Sequence, residues 1–461
     1  MNPAVADFPR SLRDAVITRD DPEYARARAV WNGVIDRYPL AVVRCRSVDD
    51  VRLAVEIARR HRWPLAVRGG GHSVAGHGTV DDGLVLDLAR LTGLEFDPDR
   101  RLVTAGGGAT WGQVDAATQA AGLAVPGGVF SRTGIAGLTL GGGYGWIRNR
   151  YGLSCASLVR AEMVTADSEA VTASATENPE LLWALRGSGG NVGVVTSFTY
   201  RAHPVGPRAY FLFVFHDARA GRATRGLRLF RDFCRAAPDE VSTLAFLGRV
   251  PDAGEGFAAG TAGWPFVGFA GLYVGDPGEG ASLLSPLREF SRDPLADASG
   301  VTDYVDVQQV FDADYPDGGR YYWKSVNLET LDEETIDLLA EAGRSAPSDL
   351  STIDLWHNAG AATGPVDGAL SSHAAFMINP EANWVTAADD PANIHWVREL
   401  VAALTPKSDG SRYLNFAGFQ EEGEDAVRAT FRDDYVRLAR IKARWDPENC
   451  FRLNQNVHPA A

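Results

Sequence analysis

Lysine is nearly missing from this chain of 461 residues: only Lys324, Lys407 and Lys442 occur, and none follows a glycine. That excludes a P-loop, whose glycine-rich turn ends in Gly-Lys; the low lysine share itself reads as a bias of genome composition. Cysteine is sparse as well. Cys45, Cys155, Cys234 and Cys450 stand far apart with no Cys-x-x-Cys pair, which argues against a zinc site or a disulfide framework. No apolar run approaches the roughly 18 residues of a membrane span. The opening residues, Met1–Arg10, lack the basic-then-apolar order of a secretion signal. A cytoplasmic protein with no membrane partner is therefore expected. H-E-x-x-H, G-x-S-x-G and a G-x-G-x-x-G behind a strand are all missing. Metalloprotease, serine-hydrolase and Rossmann chemistry drop away, and no metal site is expected. Positive charge is also in deficit, with 45 Lys and Arg against 59 Asp and Glu, a formal net charge of −14. Such a surface repels polyphosphates, so nucleic acid is a poor partner.

Glycine is in excess, 49 residues of 461 against a usual share of about 7%, and the surplus is clustered. The run Pro64-Leu65-Ala66-Val67 reads as a buried strand. Directly behind it stands Arg68-Gly69-Gly70-Gly71-His72-Ser73, followed by His77 and Gly78. Residues without Cβ let several backbone N–H groups converge on one anion. The loop can thus cradle a pyrophosphate, with His72 beside whatever the pyrophosphate carries; glycine clusters also serve as plain turns. Gly106–Gly108, the stretch Gly127–Gly145 and Gly187–Gly193 repeat the device. Together the four loops read as one binding surface.

The length favours two domains. Glycine clusters stop near His203–Pro207, and from Tyr210 onward aromatic-rich strands alternate with helices. A domain boundary is accordingly expected near residue 204. Expected strands are Ala41–Arg44, Leu65–Val67, Leu84–Asp87, Val194–Tyr200, Ala209–His216 and Tyr321–Leu328. Expected helices include Pro22–Asp36, Trp111–Ala121 and Glu333–Ala342, and Ser47 with Asp50 opens another as a capping box. A last helix carries Val427, Phe431, Tyr435, Leu438 and Ile441 at helical spacing until Pro447 stops it.

Gly69-Gly70-Gly71-His72-Ser73 behind an apolar strand resembles the covalent flavin loop of the FAD-linked oxidases of the vanillyl-alcohol oxidase superfamily. Further stretches are similar to its berberine-bridge-enzyme-like group, above all bacterial, 6-hydroxy-D-nicotine-oxidase-like members. These are Gly141-Gly142-Gly143-Tyr144-Gly145, Arg150-Tyr151-Gly152-Leu153, Gly190-Asn191-Val192-Gly193-Val194-Val195-Thr196, Tyr413-Leu414-Asn415, Leu438–Lys442 and Trp445–Asn449. The resemblance implies an α+β, two-domain fold. An FAD-binding domain (1–204) is completed by the C-terminal segment (413–461), and a substrate domain (205–412) carries a large sheet flanked by helices.

By the same resemblance FAD is the cofactor, bonded through its 8α carbon to His72. Arg68, Gly69, Gly70, Gly71, Ser73, His77, Gly134, Gly137, Gly141, Gly142, Gly143, Gly193, Val195, Asn454 and Gln455 are its further contacts. Two-link members carry a cysteine at a place that falls on Phe130 here, while Cys155 lies past the glycine cluster. A single histidyl link, with no cysteinyl one, is expected. Tyr413 is the implied base, Lys324 the expected source of positive charge, and Tyr322 and His373 the other expected substrate residues. Thr133 falls where relatives control oxygen access. The implied reaction takes a hydride from an alcohol or amine carbon of a small, cyclic or natural-product-like substrate to flavin N5, with O2 as acceptor and H2O2 as product. A carbohydrate oxidase, or a flavin-containing drug-binding protein with little turnover, is the alternative. Both a monomer and a homodimer fit.

Overall fold

Val48–His61 is the first long helix, and its sequence explains both ends. Ser47 Oγ accepts from the Asp50 N–H at the start, and Arg62 closes it in the left-handed region at φ 55°. Its Val51, Ala54, Val55 and Ala58 bury against Val43, Leu65, Leu84 and Leu86. Those residues belong to a four-stranded sheet ordered Val16–Thr18, Ala41–Arg44, Leu84–Asp87, Leu65–Arg68. The last three strands run parallel. Leu65–Arg68 is thus an edge strand whose C-terminal end leads straight into the glycine loop. The computed structural model describes residues 8–252, 256–370, 374–419, 421 and 423–460.

A five-stranded antiparallel sheet follows, ordered Leu94–Asp97, Leu102–Gly106, Val194–Arg201, Leu158–Val164, Ala170–Ser174. The helix Trp111–Gln119 packs on it and begins with a reciprocal capping box between Thr110 and Gln113. The same core takes in Val427, Phe431, Tyr435, Leu438 and Ile441 from the end of the chain. Their expected single helix is in fact two, Gly423–Phe431 and Asp434–Trp445. Arg432, at φ 48°, breaks it between them.

Nine strands among the described residues form the third sheet. Its main path runs Ala296–Asp297, Arg208–Asp217, Pro265–Tyr273, Val241–Arg249, Thr352–His357, Phe376–Trp384, Arg320–Trp323. Period-two alternation gives it two different faces. Leu212, Val214, Ala245, Leu247, Val267 and Phe269 pack against Leu227 and Phe230 of helix Arg222–Cys234 and Ile336 and Leu339 of helix Glu333–Arg344. Phe211, Leu244, Phe246, Trp356 and Met377 point the other way, into a core shared with Tyr144, Trp146, Cys155 and Tyr413. That second face is the wall of the site.

Two further expectations change. The helix read over Pro22–Asp36 shortens to Tyr24–Arg28, because Asn32 donates to the carbonyls of Val74 and Tyr321 at 2.8 Å each instead of continuing it. The strand read over Tyr321–Leu328 splits into Arg320–Trp323 and Val326–Leu328, with Lys324 bridging to Ala417 between them. Among the described residues no helix is long and apolar enough to cross a membrane.

Candidate active site

The glycine loops and the second face of the nine-stranded sheet enclose one large cavity. On one side it is lined by residues 68–73, His77, Gly134, Gly137, Gly193 and Val195, and on the other by Tyr315, Trp323 and Trp356. Tyr413, Asn415, Asn454 and Gln455 close it from the C-terminal segment. The sequence-expected cofactor residues thus meet in one place, apart from Gly141, Gly142 and Gly143. Those three lie behind the wall rather than on it. A Cβ on Gly141 would come within 2.3 Å of Asn415 Oδ1 and one on Gly143 within 2.2 Å of Ser154 Oγ. Their missing side chains leave room for Asn415 and the nearby Tyr413 ring.

The first loop is built around Arg68. Its guanidinium, nearly buried, pairs with Asp87 at 2.9 Å and donates to the carbonyls of Ala27 and Ala29. Gly70 approaches Gly134 so closely that a Cβ there would stand 2.4 Å from the Gly134 nitrogen. Among the described residues the N–H groups of Gly70, Gly71, His72 and Ser73 donate to no protein atom. His77 Nε2 and Thr133 Oγ1, which line the same cavity, are buried without a partner among the described residues. Donors left open in a glycine-rich cradle are what a diphosphate requires, and buried polar atoms need partners. Burial also lowers the pKa of His72, leaving a neutral imidazole.

The C-terminal segment is anchored from below. Lys442, wholly buried, spreads its three N–H donors over the carbonyls of Asn191 (2.6 Å) and Phe451 (2.9 Å) and over Asp446 (2.6 Å). Asn191 in turn donates to the Ser188 and Gln455 carbonyls and accepts from the Val457 N–H. The fourth glycine loop is thereby fixed to the residues that carry Asn454 and Gln455, and Gln455 donates onward to the Leu414 carbonyl.

At the junction sits Tyr413. Its hydroxyl oxygen accepts from Asn415 Nδ2 at 2.9 Å and from the Tyr144 N–H at 3.3 Å. Burial pushes its pKa up, while those two donors pull it down. On the opposite wall, Tyr315 donates to Glu381 at 2.8 Å, Asn379 donates to the same carboxyl at 2.6 Å, and Thr352 donates to Asp354 at 2.9 Å. Burial, and for Glu381 the nearby charge of Asp354, raise both carboxyls well above the usual range.

Two of the expected substrate residues lie elsewhere. Tyr322 and Lys324 are not on the cavity wall. Tyr322 faces the helix layer and donates to Glu421, and Lys324 Nζ stands 3.3 Å from Glu421. Alternation along the strand decides this, since Tyr321 and Trp323 take the site face. His373 lies outside the described residues. Sequence reasoning missed Trp31, Tyr315, Glu381 and Asp354; buried carboxyls on alternating strand positions were the available signal. Phe130 lines the cavity and no cysteine does among the described residues. Cys155 is fully buried, its thiol pushed up to about 12.

Two family models match this chain, an FAD binding domain over residues 39–174 and a berberine and berberine-like model over residues 412–458. The FAD-linked oxidoreductase YgaK of Bacillus subtilis is 29% identical over 97% of this chain and 97% of its own. The solved 6-hydroxy-D-nicotine oxidase of Arthrobacter nicotinovorans superposes with a TM-score of 0.83 at 26% identity, covering 96% of this chain and 98% of its own. The chain is an FAD-linked oxidoreductase, and its C-terminal segment is similar to the berberine-like family. Its fold is also that of the glucooligosaccharide oxidase of Acremonium strictum, with a TM-score of 0.84 at 21% identity over 97% of each chain. The second matched segment of this oxidoreductase, 412–458, contains Tyr413, Lys442, Asn454 and Gln455, all of which reach the cavity or its anchor.

Proposed function

We propose that this FAD-linked oxidoreductase is an oxidase that takes a hydride from an alcohol or amine carbon of a small cyclic substrate. The observation that carries the reading is one arrangement: Tyr413 stands between a cradle of unpaired N–H donors and a wall of flat rings, Tyr315, Trp323 and Trp356. When bound, FAD supplies a hydride acceptor at N5 and passes the electrons to dioxygen, which leaves as hydrogen peroxide. Gly70–Ser73 would hold its diphosphate, His72 its 8α carbon, and Asn454 and Gln455 its ring.

The remaining work falls to the chain. Tyr413 takes the proton of the substrate O–H or N–H as the hydride departs. The Asn415 and Tyr144 donors stabilise the charge that develops on its oxygen. Because burial disfavours a resting phenolate, proton and hydride leave together. Trp323 and Trp356 hold a flat substrate in place, each fixed from behind. Trp323 donates to Asn383 at 2.8 Å, and the Arg148 guanidinium lies 5.1 Å over the Trp356 ring. Tyr315, already donating to Glu381, keeps its lone pairs free to accept from the substrate.

Single attachment through His72 is part of the proposal. Acremonium glucooligosaccharide oxidase carries a 6-S-cysteinyl, 8α-N1-histidyl FAD. In support of one link here, no cysteine reaches the cavity among the described residues. The test of the reaction is a panel of cyclic amines, alcohols and oligosaccharides scored for peroxide release. Peroxide in proportion to a cyclic amine or alcohol is expected. Turnover only with an added artificial acceptor would make the protein a dehydrogenase, and turnover only with oligosaccharides would move it to carbohydrate oxidation.

A further inference from the structure

Trp31 belongs to no sequence motif used so far, yet it joins the His72 loop to the opposite wall. Its ring stacks on His72 with centroids 5.1 Å apart and planes at 18°, and on Tyr321 at 3.9 Å and 2°. Trp31 itself cannot pivot. Its indole N–H donates to the Tyr315 carbonyl at 3.1 Å, its backbone N–H to Gly71, and its carbonyl accepts from the Gly318 N–H at 2.8 Å. The neighbouring Asn32 ties the carbonyls of Val74 and Tyr321 together. His72, by contrast, has one long polar side-chain contact among the described residues, Nδ1 to the Gly70 carbonyl at 3.3 Å. Its ring plane is set by the stack.

We propose that Trp31 is a positioning residue for covalent attachment of FAD: pinned by Tyr321, it holds the His72 imidazole in the plane from which the flavin 8α carbon is captured. The inference rests on the His72 attachment proposed above. In that step one imidazole N–H and one 8α C–H are exchanged for an N–C bond, and the two hydrogens leave with their electrons to dioxygen as hydrogen peroxide. Orientation of the nucleophile is where such a step gains or loses rate. Tyr321 sits on strand Arg320–Trp323 of the nine-stranded sheet. The stack therefore forms only once that sheet has docked, and attachment follows docking.

The experiment adds FAD to full-length protein from riboflavin-starved cells and follows the share of flavin that stays in the acid-precipitated pellet. Trp31→Ala and Tyr321→Leu are expected to slow its appearance by about 2- to 10-fold, and Trp31→Phe to restore most of it. Total bound flavin should stay near the parent level. Parent-like attachment in both Trp31→Ala and Tyr321→Leu, with none in His72→Ala, overturns the inference and leaves His72 as the anchor. Covalent flavin in His72→Ala overturns the reading beneath it. If Trp31→Ala does not fold, Tyr321→Leu decides alone, since it removes only the ring that pins Trp31 in the stack.

Discussion

A handful of single atoms carries the chemistry. The Tyr413 oxygen accepts two N–H donors while facing the cavity, so Tyr413→Phe should cut the rate of flavin reduction by about 100-fold or more. Flavin content should stay unchanged, with both read by anaerobic stopped-flow absorbance; parent-like reduction would remove Tyr413 from its role. Gly70 is a matter of space. Its Cβ would stand 2.4 Å from the Gly134 nitrogen, so Gly70→Ala should lower the flavin-to-protein absorbance ratio of the purified chain severalfold. A parent-like ratio would show that the loops part without cost. At this scale the sequence was most legible where glycine has no substitute. Gly69–His72, Gly134, Gly137 and Gly193 all line the cavity. It was least legible for carboxyls, since Glu381 and Asp354 earn meaning only from their burial beside Tyr315.

Elements were legible where a period and a cap agree, and lost where partners distant in sequence intervene. The helix after Ser47 and the strand before Gly69 follow from local pattern. The break at Lys324 does not, because Ala417, far along the chain, pairs with it. The same break explains why Tyr322 and Lys324 miss the site, since a strand offers a given face only to every second residue. The helix Asp434–Trp445 earns its place through Lys442, whose three donors span the fourth glycine loop and the chain end. Removing one member of a buried pair costs about 3–5 kcal/mol. Lys442→Met should therefore lower the denaturant midpoint clearly and reduce flavin content together. An unchanged midpoint would show that the anchor is dispensable.

Across the molecule, the two halves meet through polar groups that the sequence does not reveal. Arg148, wholly buried in helix Arg148–Tyr151, donates to the carbonyls of Thr243 (2.6 Å) and His357 (2.7 Å) on the large sheet. Asp115 accepts from Gln308 at 3.1 Å across the same divide. Burial pushes the Asp115 carboxyl up to about 7, above the ~3.9 of an unfolded aspartate. Between those values the folded chain keeps a proton that the unfolded chain has lost, so stability falls as pH rises through the window. Asp115→Asn removes that titration. The variant should gain about 1–3 kcal/mol over the parent above pH ~7.5 and match it near pH ~4, as read from denaturant unfolding at both pH values. An equal gain at both would make the effect one of packing.

The central claim is that one imidazole holds the flavin. Its most direct measurement is peptide mass after acid denaturation and digestion of the purified protein. The account predicts a single flavin-bearing peptide, the one containing His72, and none containing Cys155. Flavin left entirely in the acid supernatant, or attached through a cysteine, would contradict it.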